Sequence, residues 1–367
     1  MFSKEKFKIG LTRLIRKIMY HLVFWNFAFL FYFFLTGHQP YLLDHLNLFE
    51  QSSVITLGII SATAITILFT LLDLIFSDRI MRYSPIRGTL FIRSLFYFIL
   101  SITFIFLTNI DYPEYLLQIR SFENFKNLMP EIDITAIRFM VFFYVACIIN
   151  HSYKEIHKKI GLGHFFEWFF GGLNKPREED RVFMFIDMKS STTLAERLKH
   201  KKFSRLVQDV FNDMAVVDNY HGEIYQYLGD GAIISWDVHS GIKNNNCLKA
   251  YFAFSRVIEK RSGYYERKYG YIPKFKAGLH VGEIMTLQVG SIRRDISYNG
   301  DTINTAARIE SMCNELKQDL LISGVLYETL ENREEFIFKD VGTIKLKGKQ
   351  KGVLIYHVKQ KSRKYRY

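Results

Sequence analysis

The chain of 367 residues is 49% hydrophobic, contains 34 Phe and 22 Tyr, and carries a formal net charge of +13. This length has room for two or three domains, and the apolar and aromatic content is high for a soluble enzyme. The three cysteines lack the spacing of a metal site or a disulfide framework, and the positive charge gathers beside apolar stretches, so we expect no nucleic-acid partner.

Four apolar stretches occupy the first part of the chain, at about residues 18–35, 54–76, 90–107 and 134–149. Each approaches the length that a bilayer span requires. They predict an all-α transmembrane domain of about four helices over residues 1–150, in contact with the lipid bilayer. The last stretch is the weakest because it is short and contains Arg138, and a buried core helix is its alternative interpretation.

The basic residues around these stretches predict the orientation of the chain. Lys and Arg crowd the segment before residue 18 and follow the second and fourth stretches, whereas the loop at 38–50 has none. Cytoplasmic loops of membrane proteins carry such an excess. We therefore expect a multi-pass protein of the cell membrane, with its N-terminus and its C-terminal half in the cytoplasm.

Residues 151–180 mix large apolar side chains with Lys and Glu, which predicts an amphipathic connector. Its four glycines argue against one continuous helix. The connector either transmits a conformational change to the second half of the chain or lies at a membrane surface. Residues 360–367 form a basic tail, which we interpret as a solvated end.

Two acidic residues in the second half of the chain predict a metal site. Asp187 follows an apolar strand predicted at 182–186, and Asp230 lies in a tight Gly-Asp-Gly turn between two predicted hairpin strands. Carboxylates are hard oxygen ligands that suit Mg²⁺, and the carbonyl of Ile186 is a third candidate ligand. Taken singly, Asp187 has a simpler interpretation as a helix cap, and Asp230 as a turn residue.

The residues after Asp187 predict a phosphate-binding helix N-terminus. Ser and Thr open the predicted helix, and the free amides of its first turn carry a partial positive charge that suits phosphate groups. The candidate phosphate-binding residues are Met188, Lys189, Ser190, Ser191 and Thr192.

A later predicted helix carries an amide and a guanidinium on one face, because Asn304 and Arg308 stand four residues apart. Such a pair can hold a ribose and a reacting phosphate. The alternative for Arg308 is an ion pair with Glu310 or another surface acid. Strand-like and helix-like segments alternate over residues 181–359 and predict an α+β, ferredoxin-like sheet covered by helices.

These residues, in this order, resemble the class III nucleotidyl cyclases, which convert ATP or GTP to a 3',5'-cyclic nucleotide and pyrophosphate. The resemblance implies that residues 181–359 form the catalytic domain and that Asp187 and Asp230 bind two Mg²⁺ ions per site, with Mn²⁺ as the alternative ion. It also implies that Asn304 positions the ribose and that Arg308 stabilises the transition state.

A basic segment near the C-terminus extends the resemblance. The sequence Leu-Lys-Gly around Lys347 is similar to the segment that faces the nucleotide phosphates in this family. Lys347 is therefore a further candidate for phosphate binding.

The residues that select the purine depart from the family pattern. Adenylyl cyclases usually carry Lys four residues before the hairpin Asp, and guanylyl cyclases carry Glu there, whereas this chain has Gln226, which both donates and accepts hydrogen bonds. Ser297, seven residues before Asn304, falls within the range seen in adenylyl cyclases. The resemblance therefore favours ATP, with a guanylyl or mixed-substrate cyclase as the alternative.

The resemblance also implies a head-to-tail homodimer, in which one subunit supplies the metal carboxylates and the other supplies the Asn, the Arg and the residues that select the purine. The predicted function is a membrane-anchored adenylate cyclase in signal transduction. A catalytically inactive receptor that uses this domain only to dimerise is the alternative of another class. The intact Asp187, Asp230, Asn304 and Arg308 argue against it.

Overall fold

Among the residues that the structure describes, those of the N-terminal part are helical and those of the C-terminal part are built around one large sheet. The computed structural model describes residues 2–36, 134–160, 171–172, 175–292, 294–345 and 351–361, together with isolated positions between 63 and 99. The chain divides into two compact units, residues 1–159 and 160–367.

The described part of the first unit consists mainly of two long helices, α1 (Phe2–Thr36) and α2 (Ile134–Ile160). The rings of Trp25 and Phe143 stack with their centroids 5.0 Å apart. The Tyr20 hydroxyl donates a hydrogen bond of 2.7 Å to Oδ1 of Asn150, which is buried. The two helices are thus joined by both apolar and polar contacts.

The prediction of a multi-pass protein in the cell membrane is wrong. Within the described ranges, no helix is both long enough and apolar enough to cross a membrane. The physical reason lies in polar residues inside the predicted spans: the stretch at 18–35 contains His21 and Asn26, and α2 contains Arg138 and ends in a charged segment. The predicted spans at 54–76 and 90–107 fall almost entirely outside the described residues.

The other predicted boundaries stay predictions. Helix α2 runs without interruption across the boundary placed at residue 150. Much of the predicted connector, residues 161–170, lies outside the described residues, as do residues 362–367 of the basic tail.

The second unit is built on a mixed sheet of eight strands in its described part. Seven strands follow the order β2-β3-β1-β4-β6-β8-β7, and β5 pairs with β4. Strands β4 and β6 are parallel, and the other pairs are antiparallel. The strands are β1 (Arg177–Met188), β2 (Glu223–Leu228), β3 (Gly231–Asp237), β4 (Phe275–Val289), β5 (Asp295–Asn299), β6 (Leu320–Ser323), β7 (Phe336–Ile344) and β8 (Val353–Gln360).

Helices cover this sheet, which confirms the predicted α+β architecture. They are α3 (Ser191–Met214), α4 (Val238–Ile242), α5 (Asn246–Lys260), α6 (Ser262–Tyr269), α7 (Asp301–Glu315) and α8 (Gly324–Thr329), with short 3₁₀ turns at Ala215–Tyr220 and Lys243–Asn245. Helix α3 is interrupted at Lys199, where the backbone has φ 60° and ψ 161°.

Both faces of the central strand β1 are buried, which explains its unbroken apolar run. Val182, Met184 and Ile186 face a large core that includes residues of α3 and α5. Phe183 faces the opposite way and packs with Ile233 and with Ala306 of α7. Because side chains alternate along a strand, Asp187 lies on the same face of the sheet as Phe183 and α7.

Helix α7 approaches β4 closely because two glycines leave room for it. A Cβ atom on Gly278 would lie 2.1 Å from the backbone nitrogen of Glu310, and one on Gly282 would lie 2.8 Å from Oγ1 of Thr302. The Thr302 hydroxyl donates a hydrogen bond of 2.6 Å to the carbonyl of Glu283. The position of α7 above the sheet is therefore fixed along most of its length.

Gly278→Ala is expected to lower the free energy of unfolding by about 2 kcal/mol or more, since the added methyl group meets helix backbone that cannot move alone. Gly263→Ala is the matched control, because a Cβ there meets nothing within 4 Å and the residue lies in α6. This control should raise stability by up to about 1 kcal/mol. Urea unfolding of the three proteins measures both effects, and equal stability of the two variants would contradict the close packing of α7.

Candidate active site

The two candidate metal carboxylates lie side by side at one end of β1. Ile186 is paired with Ala232 of β3, so that Asp187 stands opposite Gly231 and next to the turn that holds Asp230. A Cβ on Gly231 would lie 2.6 Å from the carbonyl oxygen of Ile186 and 3.0 Å from Oδ1 of Asp187. The glycine is thus required for this approach, and the three predicted metal ligands share one end of the sheet.

The electrostatics of this pair favour a cation. Oδ2 of Asp230 is buried and has no hydrogen-bond partner among the described residues. Burial raises the pKa of Asp187 above its usual range, and the neighbouring charge of Asp230 raises it further. Two carboxylates that repel each other in a partly dehydrated site are stabilised by a positive ion between them.

A buried lysine also contacts this site. The ammonium of Lys276 lies 3.2 Å from Oδ2 of Asp187 and 2.6 Å from Oε1 of Glu310. Burial lowers the pKa of Lys276, but the ion pairs with Glu310 and Asp187 outweigh this effect, so that its pKa is raised and it stays charged. Glu310 therefore pairs with Lys276, which corrects the alternative pairing with Arg308 that the sequence allowed.

Sequence reasoning missed Lys276 as part of the site. Its signal was weak but present, because it is a lysine near the start of a strand, between the apolar Phe275 and Ala277. Its position opposite Asp187 depends on the pairing of β1 with β4, which joins residues almost ninety positions apart. Only the register of that pair shows which side chain Lys276 meets.

Of the predicted phosphate-binding residues, Met188, Lys189 and Ser190 precede helix α3, whereas Ser191 and Thr192 form its first turn. The side chain of Met188 is buried in the core, and Lys189 is engaged: its amide donates to the carbonyl of Lys274 at 2.8 Å and its ammonium pairs with Asp319. Ser190 has a left-handed backbone, φ 57°, at the start of α3 and makes no capping hydrogen bond with its side chain.

The first turn of α3 is the remaining candidate cradle. The amide of Leu194 donates to the carbonyl of Ser190, whereas the amides of Ser191 and Thr192 precede the first possible intrahelical bond. These amides stand immediately after the strand that carries Asp187. An anion held there would lie near the candidate metal ligands.

Asn304 and Arg308 lie on α7, but on a different side from the residue that contacts the metal site. Glu310 follows Arg308 by two residues, which rotates it about 200° around the helix axis. Asn304 is exposed and donates to the carbonyl of Gly300 at 3.2 Å. Nη1 of Arg308 is buried without a hydrogen-bond partner among the described residues. The two predicted catalytic residues share one face, as expected.

The purine-selecting candidates lie on β2 and β5, which are not paired with each other but carry tyrosines whose rings are in contact. The rings of Tyr225 in β2 and Tyr298 in β5 have centroids 4.6 Å apart. The register of β2 shifts between Ile224 and Gln226, and Gln226 is paired with Ile233 and is exposed. Alternation along β5 places Ser297 on the opposite face from Tyr298, where its hydroxyl donates to Asn299.

The remaining candidate for phosphate binding, Lys347, lies outside the described residues.

The donor set fits a hard divalent ion. No group of three or more His, Cys, Asp or Glu residues arranged for a metal occurs in the described ranges. Mg²⁺ is usually held by one or two carboxylates, with water and substrate phosphates completing its octahedron. The unpartnered oxygen of Asp230 beside Asp187 and the Ile186 carbonyl matches that mode of binding.

The raised pKa of Asp187 predicts a pH effect on the metal-free protein. Between its usual and its raised pKa the folded state binds more protons than the unfolded state, so that stability contributed by Asp187 falls as pH rises through this window. Asp187→Asn should flatten this fall and should abolish the thermal stabilisation that Mn²⁺ confers. Thermal unfolding measured across pH, with and without Mn²⁺, checks the pH dependence and the stabilisation by Mn²⁺. Identical unfolding temperatures of variant and wild type under all these conditions would contradict the metal assignment.

Known proteins are similar to this chain in its second half. Residues 173–360 match the adenylate and guanylate cyclase catalytic domain. "Adenylate cyclase 2" of Rhizobium meliloti (strain 1021) is 33% identical over 196 residues, which are 53% of this chain and 54% of that protein. "Adenylate cyclase" of Anabaena cylindrica is 27% identical over 184 residues, which are 48% of this chain and 36% of that protein.

A bacterial light-regulated adenylyl cyclase has a similar solved structure, with a TM-score of 0.51 and 18% identity over 63% of this chain and 67% of that one. At this identity the likeness concerns the fold alone. The chain spans about half the length of the Rhizobium meliloti relative and about a third of the Anabaena cylindrica one. Since the matched residues 173–360 make up just over half of its 367 residues, the chain belongs to the adenylate and guanylate cyclase catalytic domain family.

Proposed function

We propose that the protein is an adenylate cyclase that converts ATP to 3',5'-cyclic AMP and pyrophosphate. The observation that carries the proposal is the convergence of Asp187, the Ile186 carbonyl and the unpartnered oxygen of Asp230 beside the first turn of α3. Relatives named adenylate cyclase support the choice of reaction. The product would make the chain a source of a diffusible signal.

Asp187, Asp230 and the Ile186 carbonyl would hold two Mg²⁺ ions, or Mn²⁺ in their place, whose chemistry when bound is to acidify the ribose 3'-hydroxyl and to neutralise the triphosphate. The amides of Ser191 and Thr192 orient the terminal phosphates, because they point out of a helix N-terminus. The position of these amides next to Asp187 supports this division of roles.

Arg308 and Asn304 act on the other end of the nucleotide. A guanidinium placed at the α-phosphate stabilises the negative charge that develops as pyrophosphate leaves. The buried Nη1 of Arg308, which has no partner in the described part of the chain, has hydrogen-bonding capacity for such a phosphate. Asn304 is exposed one turn earlier and holds the ribose.

We infer that two chains form the complete site. Within one chain, Glu310 points to the metal carboxylates through Lys276, while Asn304 and Arg308 lie on another side of α7. A second copy, arranged head to tail, brings its Asn304 and Arg308 to the carboxylates of the first. The homodimer then has two equivalent sites, as its symmetry requires.

The substrate is assigned as ATP, with GTP or both nucleotides as the second candidate. The exposed Gln226 can donate to adenine or, after rotation of its amide, accept from guanine. Ser297 falls within the range seen in adenylyl cyclases, and the Glu that guanylyl cyclases carry at the position of Gln226 is absent. Neither residue excludes GTP, and the names of the relatives favour ATP.

Complementation tests the shared site. Asp187→Asn and Arg308→Ala should each abolish cyclase activity alone, whereas co-expression should restore about a quarter of wild-type activity, because half of the dimers are mixed and each mixed dimer has one intact site. Cyclic AMP formation by the purified mixture is the measurement. Activity of the mixture no higher than that of either variant would rule out a site built from two chains.

Nucleotide choice is tested by kcat/KM for ATP and for GTP with the full chain. We expect ATP to be preferred, and Gln226→Lys to increase that preference about tenfold, because an ammonium only donates hydrogen bonds. A large preference of the wild type for GTP would overturn the assignment. Absence of any cyclic nucleotide from a folded, dimeric protein would instead favour an inactive dimerising domain.

A further inference from the structure

Lys276 occupies a position that the proposed reaction does not explain. It lies on β4 directly opposite Asp187, and its side chain is only 9% exposed. Its ammonium contacts Asp187 at 3.2 Å and Glu310 at 2.6 Å. A buried lysine of this kind is retained only when its charge is paired.

We propose that Lys276 and Glu310 form a positioning pair that sets how tightly Asp187 and Asp230 take up a divalent cation. The proposal rests on the proposed role of those two carboxylates as metal ligands. Lys276 neutralises part of the negative charge that Asp187, Asp230 and Glu310 bring to this end of the sheet. Its ammonium is therefore an internal counter-ion for the site.

The same contact makes Lys276 a competitor of the incoming ion. The ammonium contacts Oδ2 of Asp187, whereas Oδ1 lies on the side of Gly231 and the Ile186 carbonyl, and a positive charge a few ångströms away repels an incoming cation. A cation that takes both oxygens of Asp187 must release Oδ2 from Lys276. The longer of the two contacts, at 3.2 Å, is the one that must be given up.

Glu310 provides the place to which Lys276 withdraws. Its carboxylate makes the shorter contact, and its backbone is fixed because α7 rests directly on Gly278. With Glu310 present, Lys276 keeps a partner after it releases Asp187, and no buried charge is left unpaired. Without Glu310, the ammonium would depend on Asp187 alone and would hold it more firmly.

A Lys276 that moves between Asp187 and Glu310 differs from a purely structural ion pair in how loss of each residue changes the affinity for the cation. If the pair only fastened α7 to the sheet, loss of either member would disturb the site and weaken cation binding in both cases. If Lys276 competes with the cation and Glu310 relieves that competition, loss of Lys276 tightens binding and loss of Glu310 weakens it.

The test measures the dissociation constant of Mn²⁺ alone for the full chain without nucleotide, from the electron paramagnetic resonance signal of free Mn²⁺. We expect Lys276→Met to lower this constant and Glu310→Gln to raise it, each by about tenfold. Lys274→Met is the matched control, because Lys274 precedes Lys276 by two residues and is exposed. It should change the constant by less than about twofold.

The double variant Lys276→Met, Glu310→Gln tests whether Glu310 acts through Lys276. In the Lys276→Met background, Glu310→Gln should lose most of its effect, which a double-mutant cycle quantifies. Shifts in the same direction for the two single variants, no shift in either, or fully additive effects would each overturn the proposal. If Lys276→Met does not fold, unchanged or tighter Mn²⁺ binding by Glu310→Gln alone overturns it.

Asp187→Asn separates this proposal from the one it rests on. If the wild type binds Mn²⁺ no better than Asp187→Asn does, the metal site itself fails. If Asp187→Asn loses the binding while the Lys276 and Glu310 variants match the wild type, the metal site stands and only the positioning pair fails.

Discussion

The repulsion among carboxylates at one end of β1 is the constraint on which the functional part of this structure depends. Asp187 and Asp230 are brought together in partial burial, and the only ammonium recorded in contact with Asp187 in the described part of the chain belongs to Lys276, which Glu310 shares. Such a site gains more from a divalent cation than an exposed pair would, because water screens its charges less.

The fold creates this site through two close approaches. Gly231 allows the β2–β3 turn to reach the backbone of Ile186 and the side chain of Asp187, and Gly278 allows α7 to place Glu310 against β4. Burial of both faces of β1 holds the strand rigid between them. The orientation of α7 also separates Glu310 from Arg308, and in the proposed function this separation leaves Asn304 and Arg308 for the site of a second chain.

The sequence predicted what local rules determine. A strand that ends in Asp187 and a glycine turn around Asp230 are local patterns, and they identified the candidate metal ligands. The spacing of Asn304 and Arg308 is also local, and it identified the candidate catalytic pair. Lys276 and the partner of Glu310 required the register of β1 with β4, which no local pattern contains. The membrane prediction was wrong: within the described ranges no helix is both long enough and apolar enough to cross a membrane, and the apolar count gave little weight to polar residues inside the stretches, such as His21 and Asn26 in α1.

A structure of the full chain with Mn²⁺ and a non-cyclisable ATP analogue tests the central claim most directly. Anomalous scattering locates Mn²⁺ independently of the protein atoms. The account predicts Mn²⁺ bound by oxygens of Asp187 and Asp230, with Lys276 withdrawn to Glu310 and Arg308 of a second chain at the α-phosphate. Mn²⁺ located elsewhere, with Lys276 still paired to Asp187, would contradict it.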